Sequence, residues 1–174
     1  MNEALRDALI ACGAVRFGQF KLASGATSDY YVDIKKASTD PKVLRLMADG
    51  LAKRLGTAQR IAGMELGAVP LAAATALASG VPYLMVRKKA KEHGTSTRIE
   101  GPFAPGEEVV VVEDVTTSGG SSLEAVRVLR EAGLRVTRVV TVVDREAGAA
   151  AAFAKEGVAF EGLVTAKQLL EARK

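Results

Sequence analysis

One cysteine, Cys12, and one histidine, His93, are all that this 174-residue chain has of those two residue types. A lone cysteine cannot close a disulfide framework within the chain, and it points to a reducing compartment, the cytoplasm. With one of each, a structural zinc site lacks ligands. Aromatic residues amount to only 5%, too few to interleave with cations along a nucleic-acid surface. No apolar run comes near the length of a membrane span, and Met1 to Gly13 reads as an amphipathic helix rather than a signal peptide. The expectation is a protein with neither nucleic acid nor membrane as partner.

What is present is ordinary for a globular chain: 48% hydrophobic and 25% charged residues, which suits a single domain over residues 1–174 with a real core. The formal charge is +4, and the basic residues concentrate in Arg87–Arg98 and at Lys35 and Lys36. Local concentration of that kind favours a polyphosphate site over a long nucleic-acid face.

Periodicity orders the chain. A helix over Glu3–Cys12 precedes an alternating strand, Val15–Leu22; a turn cluster follows at Ser24–Asp29, then a strand at Tyr30–Ile34. Pro41 opens a helix through Leu55 with Val43, Leu44, Met47, Leu51 and Leu55 on one face. Strands at Arg60–Met64, Pro82–Val86, Val109–Glu113, Val136–Val143 and Phe160–Leu163 then alternate with helices at Val69–Ser79, Ser121–Glu131, Ala147–Lys155 and Ala166–Ala172. Repeated strand-helix units give an α/β fold, a parallel sheet covered by helices on both sides. Residues 1–40 break the rhythm and are expected to form a small cap over the ligand edge of the sheet, with 41–174 supplying mainly the core.

Val109 to Ser121 is the segment richest in chemistry. Four valines suit a fully buried strand. Glu113 and Asp114 follow at its carboxyl end, where open α/β sheets bind ligands. Then come Val115, Thr116, Thr117, Ser118, Gly119, Gly120 and Ser121, and a helical pattern begins. Glycines admit an anion close to the backbone, and N–H groups and hydroxyls at a helix start donate to phosphate oxygens. Carboxylates beside a phosphate cradle make sense when the ligand also carries vicinal hydroxyls, as a sugar phosphate does. A Walker-type loop fits less well, because no Gly-Lys-Ser/Thr follows the turn. A second segment, Arg87 to Thr95, packs Arg87, Lys88, Lys89, Lys91 and His93 into a gap of about twenty residues between strands, and a gap that long in a compact domain is usually functional or disordered.

The 109–121 segment resembles the 5-phosphoribosyl-1-pyrophosphate motif of type I phosphoribosyltransferases. Arg87, Lys88, Lys91, His93 and Gly94 resemble the flexible catalytic loop of the orotate phosphoribosyltransferases. The run Gly18, Phe20, Leu22, Ser24, Gly25, Ser28, Tyr30, Tyr31, Asp33 is similar to that family too, as are Gly63 to Pro70 and Asp144-Arg145-Glu146. The resemblance spans Arg16–Glu146 in order. It implies a Rossmann-like phosphoribosyltransferase core with a small N-terminal hood, and transfer of a phosphoribosyl group to orotate with Mg2+ held mainly through substrate and not by protein ligands. It implies ribose hydroxyls on Glu113 and Asp114, and the 5-phosphate on Val115, Thr116, Thr117, Ser118, Gly119, Gly120 and Ser121. Pyrophosphate would fall to Arg87, Lys88, Lys91 and His93, the catalytic set, and orotate to Thr117, Arg145, Tyr31 and Lys21. It further implies a homodimer whose basic loop serves the neighbouring site. Two positions depart from the pattern: Ala23 stands where many members have lysine, with Lys21 two residues earlier on the same strand face, and Gly67 stands where some have lysine against pyrophosphate. The rival readings are a phosphoribosyltransferase for a purine base and a non-enzymatic sensor of phosphoribosyl pyrophosphate.

Overall fold

A computed structural model describes residues 2–21, 27–89 and 97–172. In chain order the elements are α1 (Glu3–Ala11), β1 (Val15–Lys21), β2 (Thr27–Val32), α2 (Ile34–Ala37), α3 (Pro41–Ala52), β3 (Arg60–Met64), α4 (Ala68–Ser79) and β4 (Tyr83–Val86). They continue as β5 (Ile99–Glu100), β6 (Glu108–Thr116), α5 (Gly120–Glu131), β7 (Arg135–Asp144), α6 (Ala149–Lys155), β8 (Ala159–Thr165) and α7 (Ala166–Glu171).

Six strands form the main sheet in the order β5-β4-β3-β6-β7-β8, while β1 and β2 pair in a separate hairpin. The sheet is parallel from β4 to β8, and β5 runs antiparallel at its edge. From β3 the chain passes through α4 to β4 on one side, and from β6 through α5 to β7 on the other. The order therefore reverses between β3 and β6, and a crevice opens there at the carboxyl ends.

The valine run of β6 shows why the strand is central. Side chains alternate across a sheet, so Val110 and Val112 enter one core while Val109 and Val111 enter the other. The first core holds α1, α3 and α4 through Leu5, Leu9, Met47, Leu51 and Leu71. The second holds α5 and α6 through Ala125, Leu129 and Phe153. Helix α3 starts where Pro41 sets the first turn and the Asp40 carboxylate accepts from the backbone N–H groups of Lys42 and Val43, at 2.8 and 3.2 Å.

Three local expectations change. Thr27, Ser28 and Asp29 belong to β2 rather than to a turn, because Thr27 and Ser28 pair with Lys21 and Phe20 of β1, Asp29 falling at the register shift that follows; Ser24 lies outside the described residues. Ile34 leaves the strand and starts α2, where the Asp33 carboxylate accepts from the Lys36 N–H. Strand β6 continues past Glu113 to Thr116, held by its register with β7, so the acid pair sits inside a strand and not at its end.

Phe153 ties this core to the crevice. It is fully buried, stacks on Phe160 with ring centroids 4.8 Å apart, and lies 3.0 Å from where a side chain at Gly119 would begin. Replacing Phe153 with Ala should lower the unfolding free energy by roughly 3–5 kcal/mol. Urea unfolding of the purified variant measures this, and a loss below 1 kcal/mol would show that the site repacks.

Candidate active site

A cavity of about 480 Å³ lies at the reversal point, lined by Met64 to Gly67 after β3, Glu113 to Ser122 along β6 and α5, Lys35 from α2, and Lys88 after β4. Its floor is the turn into α5. Gly119 adopts φ +86° as the residue before the helix, and no side chain caps that terminus. Only glycine takes this conformation without strain, and the Phe153 ring leaves no space for a side chain in any case. The N–H groups of the first helical turn therefore face the cavity without an internal acceptor, flanked by the exposed Thr117, Ser118 and Ser121. An uncapped helix start with hydroxyls around it attracts an anion.

Alternation along β6 separates the two acids. Glu113 follows Val109 and Val111 toward α5, where its carboxylate accepts from the Ser122 hydroxyl at 2.8 Å and from the Asp114 N–H at 3.0 Å. Asp114 follows Val110 and Val112 to the opposite face. There it lies against Gly67, where any side chain would collide with its carboxylate, and Lys35 Nζ stands 3.7 Å from its Oδ2. Burial, and after it the neighbouring Asp114 carboxyl, pushes Glu113 up to about 7.

The remaining expected residues fall into three places. Lys88 is exposed at the cavity rim, and its backbone N–H donates to Glu65 Oε1 at 2.7 Å. Arg87 does not line the cavity. It helps to close the base of the basic segment: its N–H donates to the Arg98 carbonyl at 2.8 Å, and the Arg98 guanidinium donates back to the Arg87 carbonyl at 2.9 Å while reaching Glu124 of α5 at 2.6 Å. Lys91 and His93 lie outside the described residues, as does Ala23.

Arg145 follows β7. Its N–H donates to the Thr116 carbonyl at 2.9 Å, and its guanidinium donates to Tyr30 Oη at 3.2 Å and Ser28 Oγ at 3.0 Å while lying over the Tyr30 ring at 4.7 Å. The hairpin is thereby fastened to the carboxyl edge of the sheet. Tyr31 is not brought to Arg145. It packs instead with Phe20 and beneath the Arg16 guanidinium, at 5.6 and 5.2 Å, while Lys21 is exposed opposite Thr27. Neither lines the cavity. Asp144 beside Arg145 is raised, chiefly by burial.

Glu65, Ser122, Ser28 and Tyr30 join the site beyond the residues to which the sequence assigned a ligand, and Lys35, marked there only as part of a basic cluster, joins them. Ser122 leaves a readable signal, since it shares one helical stripe with Ala125, Val126 and Leu129, and a hydroxyl on an apolar stripe needs a polar partner. Lys35 leaves none beyond its charge, because four residues of α2 are too few to establish a period.

Residues 39–162 match the sequence model of the phosphoribosyl transferase domain. The crevice, the strand-borne acids and the uncapped α5 thus belong to a phosphoribosyltransferase. Over 172 residues the chain is 53% identical to the orotate phosphoribosyltransferase of Natronomonas pharaonis, covering 99% of each. Its fold is similar to the crystal structure of orotate phosphoribosyltransferase from Aeropyrum pernix, with a TM-score of 0.87 and 35% identity over 97% of each chain. The Mycobacterium tuberculosis orotate phosphoribosyltransferase crystallised with 5-phospho-alpha-D-ribosyl 1-diphosphate aligns with a TM-score of 0.80 and 32% identity, over 97% of this chain and 98% of that one. The chain belongs to the orotate phosphoribosyltransferase family.

The raised Glu113 has a consequence for stability. The folded protein keeps a proton on Glu113 that the unfolded chain, with an ordinary value of 4.5, gives up between 4.5 and about 7. The associated stability is whole below that window and is lost as pH rises through about 7. Replacing Glu113 with Gln keeps the shape without the charge, so the variant should unfold at a higher temperature than wild type at pH 8, with the difference shrinking toward pH 5. Thermal unfolding at both pH values tests this; a difference independent of pH would refute it.

Proposed function

We propose that the cavity binds 5-phosphoribosyl-1-pyrophosphate and that the protein transfers its phosphoribosyl group to orotate, giving orotidine 5-phosphate and pyrophosphate in pyrimidine biosynthesis. The observation that supports this most is the uncapped start of α5, ringed by Thr117, Ser118 and Ser121 and sharing one cavity with the Asp114 carboxylate. A phosphate and a pair of ribose hydroxyls need those two kinds of group a few ångströms apart.

In this reading Val115 to Ser121 take the 5-phosphate and Asp114 accepts from ribose hydroxyls. Glu113, fixed by Ser122, supports the same strand from the α5 side. The bond from the anomeric carbon to the pyrophosphate oxygen breaks with its electron pair staying on pyrophosphate, and a ring nitrogen of orotate forms the new bond as its proton is released to solvent. The sugar becomes cationic in between while negative charge grows on the leaving group. Lys88, with Arg87, Lys91 and His93, supplies positive charge where that negative charge develops. Asp114 and Glu65 are the hard oxygen donors in the cavity that would face Mg2+, which would supply further neutralisation of the leaving group when bound. Thr117 and Arg145 orient orotate, Arg145 because a guanidinium matches a carboxylate or ring carbonyl. Tyr31 and Lys21 would serve orotate only from beyond the cavity wall, which makes Ser28 and Tyr30 the better hood contributors. The β1–β2 hairpin and α2 act as the hood, whereas α1, expected in the cap, packs through Leu5 and Leu9 into the core of the same domain; the lone Cys12 suits a cytoplasmic protein.

Following orotate absorbance with phosphoribosyl pyrophosphate and Mg2+ tests the activity directly. Asp114→Asn should weaken phosphoribosyl pyrophosphate binding by roughly 10- to 150-fold, the worth of a charge-assisted hydrogen bond, with the fold intact. Unchanged kinetics would take Asp114 out of the ribose site. Arg145→Ala should raise the KM for orotate far more than that for phosphoribosyl pyrophosphate; equal effects would remove it from orotate recognition.

We further propose a two-fold dimer in which Arg87, Lys91 and His93 serve the neighbouring site while Lys88 acts in its own. Lys91→Ala and Asp114→Asn subunits, each nearly inactive alone, should regain about a quarter of wild-type activity when mixed in equal amounts, because half the dimers then contain one intact site. A mixture no more active than its parents, with subunit exchange confirmed, contradicts sharing.

A further inference from the structure

Lys35 and Lys88 are the cationic side chains lining the cavity among the described residues, against the carboxylates Glu65, Glu113 and Asp114. A ligand with a phosphate at one end and a pyrophosphate at the other brings several negative charges into that space. The hood, not the core, supplies one of the two compensating cations. Asp33 caps α2 and so fixes the turn that projects Lys35 over Asp114. Its neighbour Lys36 is directed elsewhere, donating to the Gly13 carbonyl at 3.4 Å.

The contact between Lys35 and Asp114 is of a kind that can be given up. The nitrogen is 3.7 Å from the carboxylate oxygen, and the Lys35 side chain is 62% exposed. Exposed pairs of this sort contribute little to stability, and the long lysine stem can swing. When ribose hydroxyls donate to Asp114, Lys35 loses its partner on the cavity side that faces away from α5. Asp114 points to the Gly67 face of β6, and Glu113, held by Ser122 of α5, to the other. A sugar that crosses Asp114 with its 5-phosphate on α5 turns its anomeric substituent toward Gly67, Lys88 and Lys35.

We infer that Lys35 is a pyrophosphate-binding residue, a cation that leaves Asp114 for the substrate's pyrophosphate as the ribose docks. This rests on the phosphoribosyl reading of the site. Phosphoribosyl pyrophosphate and ribose 5-phosphate differ only in the group in question, so titration calorimetry of both, with Mg2+, isolates it. Lys35→Ala should weaken phosphoribosyl pyrophosphate binding about 10-fold or more and ribose 5-phosphate binding by no more than about 2-fold. Lys35→Arg should restore most of the loss, Lys36→Ala should match wild type, and the Lys35 effect should persist in an Asp114→Asn background. Lys35→Met, which keeps the stem, replaces the alanine variant if unfolding shows the latter destabilised.

Equal losses for the two ligands, no loss for either, or an effect that vanishes with Asp114→Asn would overturn the inference while leaving the activity standing. A wild-type protein that binds phosphoribosyl pyrophosphate no better than ribose 5-phosphate and does not consume orotate would overturn the phosphoribosyl reading, and this inference with it.

Discussion

The two-residue alternation of strand β6 is the constraint on which the rest of the site depends. Four valines feed both cores in turn, and the same parity carries on through Glu113 and Asp114. One carboxylate is therefore committed to α5 and the other to the crevice. A slip of one residue would exchange them, burying Asp114 against Ser122 and delivering every valine to the wrong layer. Because both faces of the strand are buried, that slip costs the whole core, and the placement of the acids is as secure as the hydrophobic packing itself.

From this strand outward, the site is assembled from pieces that have little chance of holding together alone. The turn into α5 depends on Gly119, whose geometry is enforced by the Phe153 ring beneath it. The hood depends on Arg145, which binds its own strand through Thr116 and the hairpin through Ser28 and Tyr30. Charge is distributed with the same economy: Glu113 is shielded by burial and Ser122, while Asp114 stays accessible enough to exchange Lys35 for a ligand.

Much of this was legible from residue order. The strand-helix alternation from Arg60 onward, the acids after the valines and the hydroxyl-glycine turn all sit close to where periodicity and composition put them, because they are local patterns with a local cause. What was not legible depends on three-dimensional pairing. Thr27 and Ser28 have the composition of a turn but are drawn into β2 by cross-strand partners. β5 is a two-residue strand, too short for any alternation. Tyr30 and Tyr31 are neighbours in sequence and opposites in space, and only the register with β1 decides which of them meets Arg145. Lys35 becomes a site residue solely because a four-residue helix turns it toward Asp114.

The double tie between Arg87 and Arg98 has a consequence for the basic segment that they bound. Those contacts hold the two ends of the basic segment at a fixed separation, and Glu124 anchors them to the helix that starts at the cavity floor. The entropy of closing such a span grows only with the logarithm of its length, about 0.6 kcal/mol for each doubling. The two tied ends therefore fix where the basic segment leaves and rejoins the sheet, whatever number of residues stands between them.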